Sequence, residues 1–391
     1  MNSAQRYVWQ QPDWPQWQYD GQALAVPLAQ ARQQQGIVIG KAQAIGLADV
    51  SLTHVVNDIW VQEVMATAAI EGQKLDHDMV RSSVMRKLGL ADAGPSSRDV
   101  DGLVEVMHDA SQNTTAALDA DRLCRWQSAL FPGGTSGITR IEVGKFRTFP
   151  EPMQIISGTI GKETVHYRAP DSARVPQEMA LFLDWFNRPG QMDGILRAAI
   201  AHLWFETIHP FEDGNGRIGR AIIDMAIAQD ARQETRLYSM SRQLQENRSA
   251  YYDVLNQAQK GDLDITPWLG WFVQQFSAAC QKSGLHIDKA IEKNRFWFAH
   301  ADQDFNQRQR KTLQKLLDAG DGGFLGGLTA DKHSKITGAS KATATRDLGD
   351  LLQKGALIAR GTGKATKYYV NVPGWNQSTL PAPGNGQDSS R

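Results

Sequence analysis

Only two cysteines, Cys124 and Cys280, occur among the 391 residues, and they lack CxxC spacing. Both fall in helical-looking sequence, so buried free thiols are expected rather than a disulfide, and nothing points to redox chemistry. Net charge is missing too: 42 basic residues balance 42 acidic ones, leaving no chain-wide field for nucleic acid or a membrane surface. The N-terminus has no charged-then-apolar signal and no apolar run approaches a membrane span, which predicts a cytoplasmic protein. No period of 20 to 50 residues repeats, so a solenoid is not indicated. What remains, with 41 % hydrophobic residues over this length, is a globular chain of two or three domains. The one biased stretch, 376–391, contains Pro, Gly and Ser, ends polar and is expected to be disordered.

Chemistry is concentrated in His209-Pro210-Phe211-Glu212-Asp213-Gly214-Asn215-Gly216-Arg217-Ile218-Gly219-Arg220. Ile195, Leu196, Ala199, Ile200, Leu203, Trp204 and Thr207 recur at helical spacing before it, so a buried helix should end near His209. Ile222, Ile223, Met225, Ala226 and Ile227 follow it, so a second helix should start near Asn215 with its positive dipole end facing the loop. Gly214-Asn215-Gly216 is a turn that can adopt positive φ, and successive backbone N–H groups there converge on an anion. Asp213 offers a hard oxygen for Mg²⁺, Arg217 and Arg220 can fork onto phosphate oxygens, and His209 can take a proton near neutral pH. Each residue alone has a bland reading: Asn-Gly is a common hairpin turn, and a lone His is usually a packed polar residue.

Taken together, the string matches without departure the pattern His-x-Phe-x-Asp/Glu-Gly-Asn-Gly-Arg-x-x-Arg, and the chain thereby resembles the Fic family. Most Fic proteins are adenylyltransferases that move AMP from ATP onto a target hydroxyl. The resemblance implies a mainly α fold: a Fic-type helical core with a small β-hairpin flap. It further implies that His209 is the base, Phe211 anchors the loop, Asp213 binds Mg²⁺, and Gly214, Asn215 and Gly216 cradle phosphate. Arg217 would contact the α/β-phosphates and Arg220 the γ-phosphate.

Residues 1–90 read as an N-terminal helical module opened by Tyr7-Val8-Trp9-Gln10 and Trp14-Pro15-Gln16-Trp17, aromatics expected to pack on a neighbouring helix. Val55, Val56, Ile59, Trp60, Glu63, Val64 and Thr67 share a helical face, and Gly72 is a natural C-terminal stop. Thr67-Ala68-Ala69-Ile70-Glu71-Gly72 is similar to the Ser/Thr-x-x-x-Glu-Gly/Asn inhibitory-helix motif of autoinhibited Fic proteins, which implies that Glu71 pairs with Arg220. In the core, 91–302, Met153–Ser157 and Glu163–Tyr167 read as a hairpin about a glycine-bounded turn. It is similar to the Fic flap, so Ile155, Ile156, Val165 and His166 would hold an extended target segment by strand addition. Leu181, Phe182, Trp185 and Phe186 follow on a helix read as core. His202, Glu206 and His209 lie on one helical face and could be drawn as a transition-metal site, but no cysteine or further histidine completes it.

Residues 303–375 change character. Asn306–Leu317, Thr329–Ile336 and Ser340–Lys354 read as helices, with Ser340 an N-cap, and two short strands flank Gly361-Thr362-Gly363-Lys364. This resembles a winged helix. Residues 331–370 hold eight Lys/Arg against three Asp, an excess the neutral total conceals. Lys341, Thr343, Thr345 and Arg346 lie away from Leu348, Leu351 and Leu352 and are candidate DNA contacts. Such domains also serve docking, so a homodimer stands beside DNA as an alternative. The function expected is AMP transfer from ATP to a hydroxyl side chain of a protein target, restrained by Glu71, with AMP removal or another nucleotide donor as variants. The competing class is a DNA-binding regulator with a vestigial core.

Overall fold

A computed structural model describes residues 7–45, 50–90, 94–157, 164–188, 190, 192–231, 236–320, 324 and 326–375; the expected disorder of 376–391 lies outside them. The chain is mainly helical and forms two compact units, Met1–Ile287 and Asp288–Arg391. The first begins with α1 (Gly21–Ile45), α2 (Val50–Ile70), α3 (His77–Lys87), α4 (Arg98–Gln112) and α5 (Ala120–Leu130). Two antiparallel pairs follow, β1 (Thr135–Ser136) with β2 (Thr139–Arg140) and β3 (Gln154–Ser157) with β4 (Thr164–Arg168). Then come α6 (Val175–Asn187), α7 (Gly194–Ile208), α8 (Asn215–Ala231), α9 (Met240–Glu246), α10 (Arg248–Lys260) and α11 (Thr266–Ala299), which begins in this unit.

The antiparallel pair α7 and α8 lies at the centre. Every residue of α7 except Arg197 is buried, as expected of a helix apolar on all sides. Asp193 caps it, accepting the Ile195 N–H at 2.8 Å, and pairs with Arg32 of α1 at 2.7 Å. α2 lies against α8 and α9, tied there by charge as well as apolar packing. Its fully buried Glu63 accepts from Ser239 Oγ at 2.6 Å and lies 3.6 Å from Arg236. Arg236 pairs with Asp224 of α8 at 2.7 Å and covers the Trp60 ring at 4.7 Å. Buried charges of this kind persist only where each finds a partner, which fixes the register of α2. Ile59, Trp60, Val64 and Thr67 are buried on that face, whereas Val55 and Val56 are half-buried.

In the β3–β4 hairpin Ile155 pairs with Tyr167 and Ile156 with Val165, with a bulge between the two isoleucines. The aromatic N-terminal segment packs on this hairpin as well as on a helix: Trp9 clusters with Tyr167 and Ala169, while Trp14 donates to Glu178 of α6 at 2.8 Å. On α6, Phe182 and Phe186 are buried and Trp185 is half-buried. Leu181 departs from the core expectation and is 45 % exposed. It sits about 100° around the helix from the inward Phe182/Phe186 stripe.

The second unit contains α12 (Gln307–Ala319), α13 (Ala330–Thr337), α14 (Lys341–Gln353) and the antiparallel pair β5 (Leu357–Arg360) and β6 (Lys367–Val370). Asn306, Thr329 and Ser340 cap the three helices, and Gly338 takes the left-handed conformation between the last two. Leu313, Leu317, Leu348, Leu351, Leu357 and Val370 close the core, with Leu352 packed at its edge. Asp347 is the buried polar node. It receives Arg308 at 2.8 Å, Asn306 at 3.2 Å and His333 at 3.2 Å. Burial alone would raise its pKa, but these donors outweigh it and hold the carboxyl down at about 2.

Both cysteines are free; Cys280 is buried and Cys124 half-buried, and burial raises both thiols, Cys280 to about 12. Among the described residues no helix is long and apolar enough to cross a membrane.

Candidate active site

The loop between α7 and α8 is built from both helix ends. His209 caps α7 with φ 51°, the left-handed region, and is the one non-glycine residue with positive φ among those described. That conformation is sparsely populated for a side-chain-bearing residue and persists only where its surroundings enforce it. Arg147 does much of this. It is buried and donates to the His209 carbonyl at 2.8 Å, the Ile208 carbonyl at 3.3 Å and the Pro170 carbonyl at 2.5 Å, while its backbone N–H meets the Pro210 carbonyl at 2.8 Å. Burial outweighs the attraction of Tyr167 and Asp171 and lowers its pKa to about 10. Tyr167 adds a hydroxyl bond to the Thr207 carbonyl at 2.7 Å.

Asn215 closes the loop on itself. Its amide accepts from the Phe211 N–H at 2.9 Å and donates to the Phe211 carbonyl at 2.8 Å, while the Phe211 ring is fully buried. The Asn215 side chain is thus engaged inside the loop, which leaves backbone N–H groups as the anion-facing donors of this turn. Gly214 has φ 93°, and Gly216 lies so close to Glu71 that a Cβ there would stand 2.1 Å from Oε1.

The charged residues converge on the start of α8. Arg220 is buried and donates to Glu71 Oε1 at 2.8 Å, to Thr67 Oγ1 at 2.7 Å and to the Thr67 carbonyl at 3.0 Å. Burial acts to lower its pKa, but Glu71 together with Tyr251 and Tyr252 outweighs it and the guanidinium is held above its ordinary value. Arg217 lies 3.5 Å from Asp213 and 4.7 Å over the Phe131 ring. Its pKa is lowered, chiefly by burial. Asp213 is 40 % exposed and bonds to the Ser136 hydroxyl of the β1–β2 hairpin. A carboxylate and hydroxyl beside a helix N-terminus suit a hard divalent cation shared with phosphate oxygens. Among the described residues no group of three or more His, Cys, Asp or Glu could hold a metal. In particular, one ring nitrogen of His202 is engaged with the Tyr251 hydroxyl at 2.7 Å.

The structure therefore brings His209, Asp213, Gly214, Asn215, Gly216, Arg217, Arg220 and Glu71 into one site. The hairpin residues Ile155, Ile156, Val165 and His166 occupy β3 and β4. In the separate C-terminal unit, Lys341, Thr345 and Arg346 are exposed; Lys341 pairs with Asp331 at 2.9 Å, and the Thr343 hydroxyl bonds the Ser340 cap. Arg147 and Ser136 were missed by sequence reasoning. Neither lies in a recognisable pattern, and their partners are 62 and 77 positions away.

Residues 7–90 match a domain of unknown function, DUF4172. The protein adenylyltransferase fic-1 of Caenorhabditis briggsae is 31 % identical over 144 residues, covering 36 % of this chain and 25 % of that protein. A probable protein adenylyltransferase, aq_aa38, of Aquifex aeolicus is 29 % identical over 91 residues, 23 % of this chain and 26 % of its own. The chain thus spans about a quarter of the length of these curated relatives. The crystal structure of a Fic family protein from Desulfovibrio desulfuricans G20 shares the fold, with TM-score 0.51 and 20 % identity over 89 % of this chain and 95 % of that one. The His209–Arg220 loop lies inside the segment, residues 117–227, that matches the Fic/DOC family.

Proposed function

We propose that this site transfers AMP from ATP to a hydroxyl side chain of a protein target. The observation that carries the reading is the convergence of His209, two buried arginines and the open N-terminus of α8 on one loop. His209 takes the hydroxyl proton, the hydroxyl oxygen bonds to the α-phosphorus, and the bond from that phosphorus to the bridging oxygen breaks to release pyrophosphate. Gly214, Gly216 and the first N–H groups of α8 receive phosphate oxygens; Arg217 faces the α/β-phosphates and Arg220 the γ-phosphate. Asp213, with Ser136 beside it, would hold Mg²⁺, which when bound neutralises phosphate charge. The β3–β4 hairpin would present the target as an added strand.

Glu71 engages the fork that the γ-phosphate needs, which supports an autoinhibited resting state and leaves AMP removal as a second use of that carboxylate. For the domains the reading is a helical module at 1–90, a catalytic core at 91–302 and a winged helix at 303–375. Exposed Thr345 and Arg346 on α14 favour duplex DNA as the partner of the last.

Intact-mass spectrometry after incubation with ATP and Mg²⁺ tests the reaction. Glu71→Gly protein should gain the mass of AMP, and adding His209→Ala should lower the transfer by about 10² to 10⁴, the range for a positioned base. Undiminished labelling of the double variant would remove His209 from the mechanism.

A further inference from the structure

Glu206 is a fully buried carboxylate that the proposed reaction does not use. It lies one turn before His209 on α7, is 7 % exposed, and has Oε1 without a hydrogen-bond partner. Its Oε2 stands 3.6 Å from His209 Nδ1, just beyond hydrogen-bond range, and Nδ1 has no other partner. An isolated buried carboxylate is costly, so its presence requires a compensating cationic or N–H neighbour. Burial pushes this carboxyl upward, yet His209, with His202 and Arg220, brings it below its usual value. The remaining groups around it are the Tyr251 and Tyr252 hydroxyls and, beyond Arg220, Glu71. Space is reserved for it as well: a Cβ at Gly219 would meet Glu206 Oε1 at 2.5 Å and His202 Nδ1 at 3.0 Å.

We infer that Glu206 is the positioning residue for His209, accepting a hydrogen bond from Nδ1–H so that Nε2 keeps the lone pair that receives the target hydroxyl's proton. The hydrogen bond made by one imidazole nitrogen sets the tautomer of the other, and water alone favours the opposite form, with the proton on Nε2. Catalytic contacts of this kind are often long without substrate and tighten when it binds. The left-handed turn at His209 brings the ring of a residue just past the helix end back toward the carboxylate one turn earlier. The inference rests on the AMP-transfer reading for its purpose, but not for its geometry.

The test uses the full chain with ring-¹⁵N histidine, the His209 signals being assigned by their loss in His209→Ala. Wild type should carry the proton on Nδ1. Glu206→Gln keeps an acceptor and should retain that tautomer, with AMP transfer within about tenfold of wild type. Glu206→Leu fills the volume without an acceptor; its tautomer should switch to Nε2–H and its transfer should fall by about 10²-fold, with ATP affinity unchanged. A wild-type His209 with its proton on Nε2 overturns the inference without any variant, and so does a Glu206→Leu protein with wild-type tautomer or transfer. Transfer is read with each form also carrying Glu71→Gly, which lifts the proposed restraint; if none of these transfers AMP, the functional reading fails while the tautomer measurements still decide the role of Glu206.

Discussion

Glu71→Gly isolates one contact in a site that is otherwise left in place. Glu71 follows Ile70, the last residue of α2, so a glycine there does not interrupt the helix. Arg220 keeps both bonds to Thr67 and stays where it is. What disappears is a 2.8 Å charged hydrogen bond between Arg220, 1 % exposed, and Glu71, 33 % exposed. With charge centres about 4 Å apart and an effective dielectric near 20, the gross attraction is about 4 kcal/mol. Net of solvation, a hydrogen bond to a charged group contributes about 1.5–3 kcal/mol. A γ-phosphate that needs the same guanidinium must displace that bond, so removing the competitor should raise productive ATP binding roughly 10- to 150-fold. Transfer could rise further, since a triphosphate misplaced by about 1 Å loses roughly a hundredfold in rate. The assay is incorporation of α-phosphate label from ATP into protein, paired with calorimetric ATP affinity. Arg220→Ala should be inactive alone and combined with Glu71→Gly. The reasoning is refuted if Glu71→Gly matches wild type in both measurements while Arg220→Ala abolishes transfer, because Arg220 would then act free of restraint.

Asn215→Ala removes both bonds that brace Phe211 and leaves a buried N–H and C=O unpaired, each costing about 1–3 kcal/mol; AMP transfer should drop and amide exchange in 209–216 should quicken, and slow exchange there would argue against the brace. In the C-terminal unit the Asp347 carboxyl, held at about 2, contributes stability that is complete above the ordinary carboxylate range and is lost as pH falls from about 4 through about 2. That contribution is about 2 kcal/mol, so Asp347→Asn should speed amide exchange in α14 at neutral pH and flatten its response to acid. Full-chain protein should be retained on duplex DNA at low salt, and Arg346→Ala should reduce the salt slope by about 1; absence of retention would favour docking or dimerisation.

The helix pair around the loop was legible because its signals are local. An apolar run without a polar face announces a central helix, and the Gly-Asn-Gly turn with Asn215 at a helix start sets the boundary. The Ser340 cap of the second unit was readable for the same reason, since it acts within three residues, whereas Asn306 and Thr329, read as helix starts, are caps as well. The bracing role of the Asn215 side chain was not legible, because its reach to Phe211 depends on a loop conformation that no spacing rule specifies. Arg147, Ser136 and the Glu63–Arg236–Asp224 cluster stayed hidden, since each joins segments far apart in sequence and carries no periodicity. Leu181 shows the opposite error, an apolar residue credited to the core by composition when its angular position turns it outward.

Arg147 and Tyr167 give the hairpin and the loop that begins at His209 common anchors. The carbonyls of Thr207, Ile208 and His209 hang from these two side chains, one at the end of the hairpin and the other ahead of it, and that of Pro210 from the Arg147 backbone N–H. Tyr167 pairs across the sheet with Ile155, so a tilt of the hairpin pulls on the carbonyl two residues before His209. The strand that would carry a target and the imidazole that would deprotonate it are therefore mechanically one part. On the proposed function, seating a segment along β4 would stiffen the footing of the base and a poorly fitting one would loosen it, so selectivity among targets would be read in turnover as much as in affinity.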